Sequence, residues 1–432
     1  MTTTVIQGGR VVDRNGSHLA DVKTDDDSGK IVEIGSDLGG DQVLDASGCF
    51  VSPGLVDLHT HIREPGNERA ETLETTTRRA ALGGYTAVVA MPDTDPCIDQ
   101  ASVVTEVNAL SQNGLCEVIP AAAITKGRDG RELSPMGELA HLGVRIFTDS
   151  GRSVQDAAVM RRAMEYSNSI STGDGSRVVL AQHCQLDALV GDGVMHEGGW
   201  SARLGLPGQL AEAEELVIMR DIALARLTGA RVHICHVTTG GGVALIRAAK
   251  ADGVLITADV TPHHLVLSDS ACVNYDPNTK VGPPLRSDSD LTALRAGLVD
   301  GTIDAIATDH GPCTVDSKEL PFDQAPFGAL GLETALAVLL TDLGTTLESL
   351  LPVLSWRPAD IAGIGDRHGG PIEVGRPANL TIIDPYSKWT VDANRSAGPS
   401  TNTPFHQREL TGRVRHTIYR GDPVVVDGKA TR

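Results

Sequence analysis

The chain has 432 residues, 47 of them glycine, with only 3% aromatics and a formal charge of −19. Such a composition suits a large α/β core with many short connections, and no run of about 18 apolar residues predicts a membrane-crossing helix. The charge argues against nucleic acid and anionic lipid as partners, because both need basic surface, and an anionic substrate would need local cations.

The opening MTTTVIQGGRVVD lacks a basic start followed by an apolar run, so no secretory signal is expected. Residues 1–50 read as short strands, Thr4–Val12, Gly29–Gly35 and Gln42–Leu44, between Gly/Asp-rich turns. Next, β-branched apolar runs alternate with Ala/Leu-rich helical stretches. The strands are Leu55–His59, Thr86–Met91, Glu117–Ile124, Gly143–Thr148, Val178–His183, Val232–His236, Val254–Val260 and Ile303–Thr308. Helical patterns at Glu71–Leu82, Asp156–Tyr166, Ala211–Leu227 and Gly242–Ala251 fall between them. Eight strands alternating with helices predict an α/β fold of the (β/α)8 TIM-barrel type over 53–374. No G-x-G-x-x-G or P-loop follows a strand, which speaks against nucleotide binding. The tail returns to strands at Asn379–Asp384, Trp389–Val391, Val414–Tyr419 and Pro423–Asp427. Both termini are therefore expected to build one small β-sandwich domain, 1–52 with 375–432. The seven cysteines are scattered without C-x-x-C pairs, which fits reduced thiols in a cytoplasm.

In such barrels chemistry sits at the C-terminal ends of the strands. His59 and His61 end the first strand, His183 the fifth, His236 the sixth and Asp309 the eighth. Residues two apart on a strand point to one side, so the His59–His61 pair can chelate one ion. Neutral imidazoles with a carboxylate suit Zn²⁺ or a similar divalent cation that leaves a position for water. Asp309 beside it can take a proton and return it to a leaving nitrogen. Together these are the parts for metal-assisted hydrolysis of an amide. Cys184 and Cys235 lie within apolar runs and are expected to be buried, inert thiols. His263 and His264 close the seventh strand and are read as supporting residues. Trp200 is expected over the mouth, and the Lys126–Arg131 connection as a solvated loop.

The arrangement resembles the amidohydrolase superfamily, and within it the type I dihydroorotases, over nearly the whole chain. The matching pieces are the run from Ser52 to Gly66 that contains His59-Thr60-His61-Ile62-Arg63-Glu64-Pro65-Gly66, Gly83-Gly84-Tyr85-Thr86-Ala87 and Met91-Pro92-Asp93-Thr94. Others are Thr261-Pro262-His263-His264-Leu265, Pro283-Pro284-Leu285-Arg286, Ala307-Thr308-Asp309-His310, Ala325-Pro326-Phe327-Gly328, Gly331-Leu332-Glu333-Thr334 and Asn402-Thr403-Pro404-Phe405. The resemblance implies that His59 and His61 hold one metal, His183 and His236 a second, and that Asp309 is the catalytic acid/base. Arg63 would grip a substrate carboxylate with its planar fork, and Phe327 and Gly328 would line the ring through their backbone. The family reaction interconverts L-dihydroorotate plus water and N-carbamoyl-L-aspartate, in pyrimidine biosynthesis.

Four positions depart from the family pattern. Ser150 stands where an aspartate bridges the metals, which should weaken the second ion more than the first. Asp93 and Cys313 replace an asparagine and a histidine that assist Arg63 in binding the carboxylate, and Gly282 replaces an asparagine. Three functions stay open on these residues: a dihydroorotase, a hydrolase of another cyclic ureide such as a hydantoin or allantoin-like ring, and a non-catalytic partner of aspartate transcarbamoylase. The family commonly forms dimers or joins larger assemblies, so a homo-oligomer is expected.

Overall fold

The eight β-branched runs form eight parallel strands in the computed structural model, which describes residues 2–173 and 175–432. Leu55–Thr60, Tyr85–Ala90 and Glu117–Pro120 pair in one sheet. Ile146–Phe147, Val179–His183, Val232–Cys235, Ile256–Val260 and Ala305–Ile306 pair in a second. Parallel bridges Ala122 to Phe147 and Thr60 to His310 join the two sheets on both sides and close the ring. The barrel is thus the predicted (β/α)8 fold. Its third, fourth and eighth strands are shorter than their apolar runs, and beyond the third the backbone leaves the ladder. Ala123 N–H, for example, donates to Ile98 O at 2.8 Å and Ser134 N–H to Ile124 O at 2.9 Å.

Alternate strand residues enter different apolar clusters, as a period of two requires. Leu55, Val88, Ala90 and Leu180 pack with helix residues such as Val103, Met160, Val217 and Ile246. Val56, Leu58, Ala87, Val89, Val179, Ala181 and Ala305 pack mainly with one another. Strands covered on both faces need continuous apolar sequence, which is why these runs were readable.

Helix boundaries follow local capping. Leu73–Leu82 starts two residues after the expected point because Thr72 is extended (φ −111°, ψ 162°) and caps the Thr75 N–H with its hydroxyl. Asp156 caps Ala157–Ser167 and Thr239 caps Gly240–Ala251 in the same way. The long helix Glu212–Thr228 stops at Gly229, whose φ of +72° is open to glycine without penalty. Among the described residues no helix is long and apolar enough to cross a membrane.

Chain ends meet in two further sheets. Lys30–Gly35, Asp21–Asp25, Thr3–Gln7 and Gln42–Asp45 form one. The other orders Lys429–Ala430, Asp422–Val426, Glu409–Tyr419, Leu380–Thr390, Phe50–Pro53, Arg10–Asp13 and Gly16–Leu19. Ile6, Val22 and Ile31 of the first share a core with Val51, Leu380, Ile382 and Ile418 of the second. Three details differ from expectation. The run Thr4–Val12 breaks into two strands at Gly8 (φ +76°). Strands at Gly16–Leu19 and Asp21–Asp25 carry too many polar residues to be recognised. Trp389 belongs to the end of one 11-residue strand rather than to a separate one.

Candidate active site

Where the barrel opens, the predicted imidazoles converge. His59 Nε2 lies 3.0 Å from Ser150 Oγ and 3.5 Å from Asp309 Oδ1. His61 Nε2 faces the same carboxylate oxygen at 3.4 Å. His183 Nδ1 and His236 Nε2 are 3.0 Å apart, and the His236 ring centre is 5.2 Å from that of His59. Strand ends one, five, six and eight therefore deliver four histidines and Asp309 to one place.

Burial favours the neutral form of three of these rings. Burial pushes His59 down to about 4 against the pull of Asp309, and burial likewise lowers His183 and His236. Burial would lower His61 too, yet the Asp93 and Asp309 carboxylates together move it up. Burial would raise Asp309, yet the hydrogen bond from His61 and the neighbouring histidines hold it well below the usual carboxylate range. His59 Nδ1 and His236 Nδ1 are buried without a hydrogen-bond partner among the described residues. Donor atoms of His59, His61 and Asp309 all lie within 4.8 Å of one another. Orphaned, neutral imidazole nitrogens around an ionised carboxylate fit a divalent cation.

Backbone geometry departs from strand rules at this point. His236, Asp309 and Arg63 have φ of +36°, +48° and +60°. A left-handed conformation costs a non-glycine residue on the order of 1 kcal/mol or more. It frees each side chain from the direction that strand alternation would impose.

Several supporting residues were not singled out from the sequence. Asp57 is fully buried and accepts hydrogen bonds from the hydroxyls of Thr60 and Thr308 and from Thr308 N–H at 2.6 Å, tying strand one to strand eight. Asp259 accepts His236 N–H at 2.6 Å and lies 2.8 Å from His233 Nε2. His310, next to Asp309, is 3.3 Å from buried Glu71, which pairs with buried Arg79. Asp57 stands two residues before His59 and Asp259 two before Thr261, so strand alternation was the one available clue. His264 is spanned by Thr261 and Pro283 O, whereas His263 Nε2 is buried without a hydrogen-bond partner among the described residues. Burial raises the Cys184 and Cys235 thiols well above their ordinary value, in keeping with inert sulfurs. Trp200 packs in an apolar cluster with Met195, Cys272 and Leu285, and Arg203 lies over its ring.

Beside His61 lies a charged pair. Arg63 Nη1 donates to Asp93 Oδ2 at 2.7 Å and its Nε to Pro312 O at 3.0 Å. The other Asp93 oxygen lies 2.8 Å from His61 Nδ1. Cys313 directs its thiol at Phe327 O (3.5 Å) and Gly311 O (3.7 Å). Gly328 N–H donates to Lys280 O and its carbonyl accepts from Asn402 Nδ2, so that residue shapes the wall with its backbone already engaged. Gly282 faces the Phe327 ring, which an added Cβ would meet at 3.4 Å. Asp149 is committed to Thr125, through N–H at 3.0 Å and Oγ1 at 2.5 Å, and leaves neutral Ser150 beside His59.

Comparison with known proteins agrees with this geometry. A family profile described as dihydro-orotase-like matches residues 48–241, and the amidohydrolase family matches residues 183–424. The chain is 45% identical over 430 residues to a dihydroorotase of Pelotomaculum thermopropionicum, covering 98% of each. It is 45% identical over 441 residues to one of Streptomyces coelicolor, covering 100% of each. A Mycobacterium tuberculosis dihydroorotase is 46% identical over 413 residues, 93% of this chain and 94% of that one. Among solved structures, the L-hydantoinase (dihydropyrimidinase) from Arthrobacter aurescens has a TM-score of 0.86 at 24% identity, covering 100% of this chain and 98% of that one. At that identity the likeness is one of fold.

Proposed function

The chain belongs to the dihydroorotase family of the amidohydrolases, and from that premise we propose that its mouth opens and closes a dihydropyrimidine-type ring. The reaction to test first interconverts L-dihydroorotate and N-carbamoyl-L-aspartate. The protein is a hydrolase of cyclic amide C–N bonds in a metal-dependent family. The observation that carries the reading is the gathering of His59, His61 and Asp309 donor atoms within 4.8 Å, with His183 and His236 beside them and Nδ1 of His59 and of His236 left unpartnered.

We assign His59, His61, His183 and His236 to the cation and take zinc as the ion that suits this set of nitrogen donors. A cation bound there supplies Lewis acidity, polarising a ring carbonyl and lowering the pKa of water. Asp309 then has a defined task. As an ionised carboxylate it accepts the proton of the attacking water, and it gives that proton to the ring nitrogen as the C–N bond breaks. In the reverse direction it removes a proton from the ureido nitrogen as the ring closes. Asp57 and Thr308 keep the strand-eight end in place, so Asp309 stays within reach of both His59 and His61. Asp93 holds His61 by Nδ1, which leaves Nε2 facing Asp309 and the ion position. Phe327 and Gly328 are assigned to the wall against the ring.

Purified protein should carry tightly bound zinc by elemental analysis, and ring opening should vanish on chelation and return with the metal. Metal-loaded protein that opens no dihydropyrimidine or hydantoin ring would overturn the assignment.

A further inference from the structure

In a chain of formal charge −19, four arginines gather at one edge of the barrel mouth. The connection after the third strand supplies Arg128 and Arg131, the segment after the fourth supplies Arg152, and the helix Ala157–Ser167 supplies Arg162. They line a cavity of about 540 Å³ together with Asp129, Asp156 and Asp187. These connections leave the C-terminal ends of strands three to five, the end of the barrel that holds the histidines. Two contacts fix the cavity beside the site. Arg128 Nη1 donates to Ser150 O at 2.6 Å, and Ser150 Oγ lies 3.0 Å from His59 Nε2. Ser153, also in the cavity wall, donates its hydroxyl to His183 O.

The carboxylates of this cavity do not answer its guanidinium groups. Asp156 caps the helix, accepting Ala158 N–H at 2.6 Å and Val159 N–H at 3.2 Å, and Asp129 accepts Arg131 N–H at 2.9 Å. Among the described residues none of the three acids forms an ion pair with any of the four arginines. The donors are left over. Half-buried Arg128 has its Nε out of reach of solvent and without a partner. Arg152 gives Nη1 only to Arg128 O at 3.4 Å, and the exposed side chains of Arg131 and Arg162 have no partner among the described residues. Like charges gathered in this way repel one another, and an anion that enters relieves the repulsion. The planar fork of a guanidinium matches the two oxygens of a carboxylate.

We propose that this arginine-lined cavity is an anion-binding vestibule that holds the carboxylates of the ligand at the edge of the mouth before its ureido end reaches Asp309. Its ligands are small carboxylates, and an open-chain dicarboxylate is held more tightly than a ring with one. The proposal deepens, and rests on, the reading of the mouth as a dihydroorotase site. It also meets a need set by the sequence, since a strongly acidic chain repels an anionic ligand unless cations stand where the ligand enters. Salt screens such attraction over about 10 Å, so the effect belongs to the rim of the mouth and not to the whole surface.

The test follows both directions of the reaction on the metal-loaded full chain. Between about 20 and 300 mM salt, kcat/KM for N-carbamoyl-L-aspartate should fall by about tenfold or more, and that for L-dihydroorotate, with one charge fewer, by less. The double variant Arg131→Gln/Arg162→Gln should raise KM for N-carbamoyl-L-aspartate by about fivefold or more at low salt and flatten the salt dependence, the loss appearing in KM rather than kcat. Arg161→Gln removes a charge from the same helix outside the cavity, where Arg161 pairs with Glu165 at 2.8 Å, and should change neither value. Equal salt slopes and an equal KM in wild type and double variant would overturn the vestibule and leave the hydrolase reading standing. If the metal-loaded chain turns over neither compound, calorimetric titration of the full chain with N-carbamoyl-L-aspartate at low salt decides. Tighter binding by wild type than by the double variant then defeats the hydrolase reading and supports the vestibule, while equal binding, or none, defeats both.

Discussion

On the histidine side of the mouth, His59, His183 and His236 are buried and neutral, and some of their nitrogens have no protein partner. Beside His61, Arg63 and Asp93 are charged, and each satisfies the other at 2.7 Å. The first wall is incomplete without something added; the second is complete as it stands. Completeness is the informative difference. A polar group left without a partner in a dry place is expensive unless a ligand supplies one, whereas the guanidinium and carboxylate of the pair satisfy each other.

The sharpest way to break this contrast is to remove a donor from the incomplete wall. His59→Ala should lose bound metal by elemental analysis and lower ring opening on the order of a thousandfold or more, since a catalytic cation supplies several kcal/mol. Unchanged metal content in that variant would mean the convergence is structural. Asp309→Asn should keep its metal while kcat falls on the order of a hundredfold or more, as expected when a proton acceptor is lost; loss of metal together with activity would make Asp309 a ligand first. Ser150→Asp returns an anion beside His59 Nε2, 3.0 Å from the present hydroxyl. It should slow release of a second metal equivalent to a chelator by roughly tenfold, and an unchanged release rate would show that position 150 does not limit metal loading.

The smallest effect separates the mouth from its scaffold. Glu117, remote from the histidines, pairs with Arg367 and His368 at 2.9 and 2.7 Å. Burial alone would raise its carboxyl, but His368 and Arg367 bring it down to about 2 from an ordinary value of 4.5. Its folded-state pKa is depressed, so its contribution is full above about pH 4.5 and disappears as the pH falls toward 2. Glu117→Gln should lower stability at neutral pH on the order of 1–2 kcal/mol by chemical denaturation. The variant and wild type should converge near pH 2, and a gap that persists there would point to packing rather than charge.

Much of the architecture was legible because its signals are local. Continuous apolar runs marked all eight barrel strands, whereas the helix starts set by the Thr72 and Thr239 caps were each missed by two residues. The edge strand Gly16–Leu19 and the interior strand Asp21–Asp25 escaped notice, since their polar residues lack that pattern. The site divides the same way. His59, His61, His183, His236 and Asp309 could be found because each closes an apolar strand at the end where barrels hold their chemistry.

What the sequence by itself determined is which side chains arrive at the mouth, including the four departures at Asp93, Ser150, Gly282 and Cys313. Which of them touch was decided only by the tertiary structure. Asp93 is 30 residues from Arg63 and pairs with both Arg63 and His61; Asp57 reaches Thr308 across 251 residues; and left-handed backbone at Arg63, His236 and Asp309 turns their side chains out of strand alternation. Strand and helix periods record contacts between near neighbours, whereas these pairings exist only once the ring of strands has closed and brought distant ends of the chain to the same few ångströms.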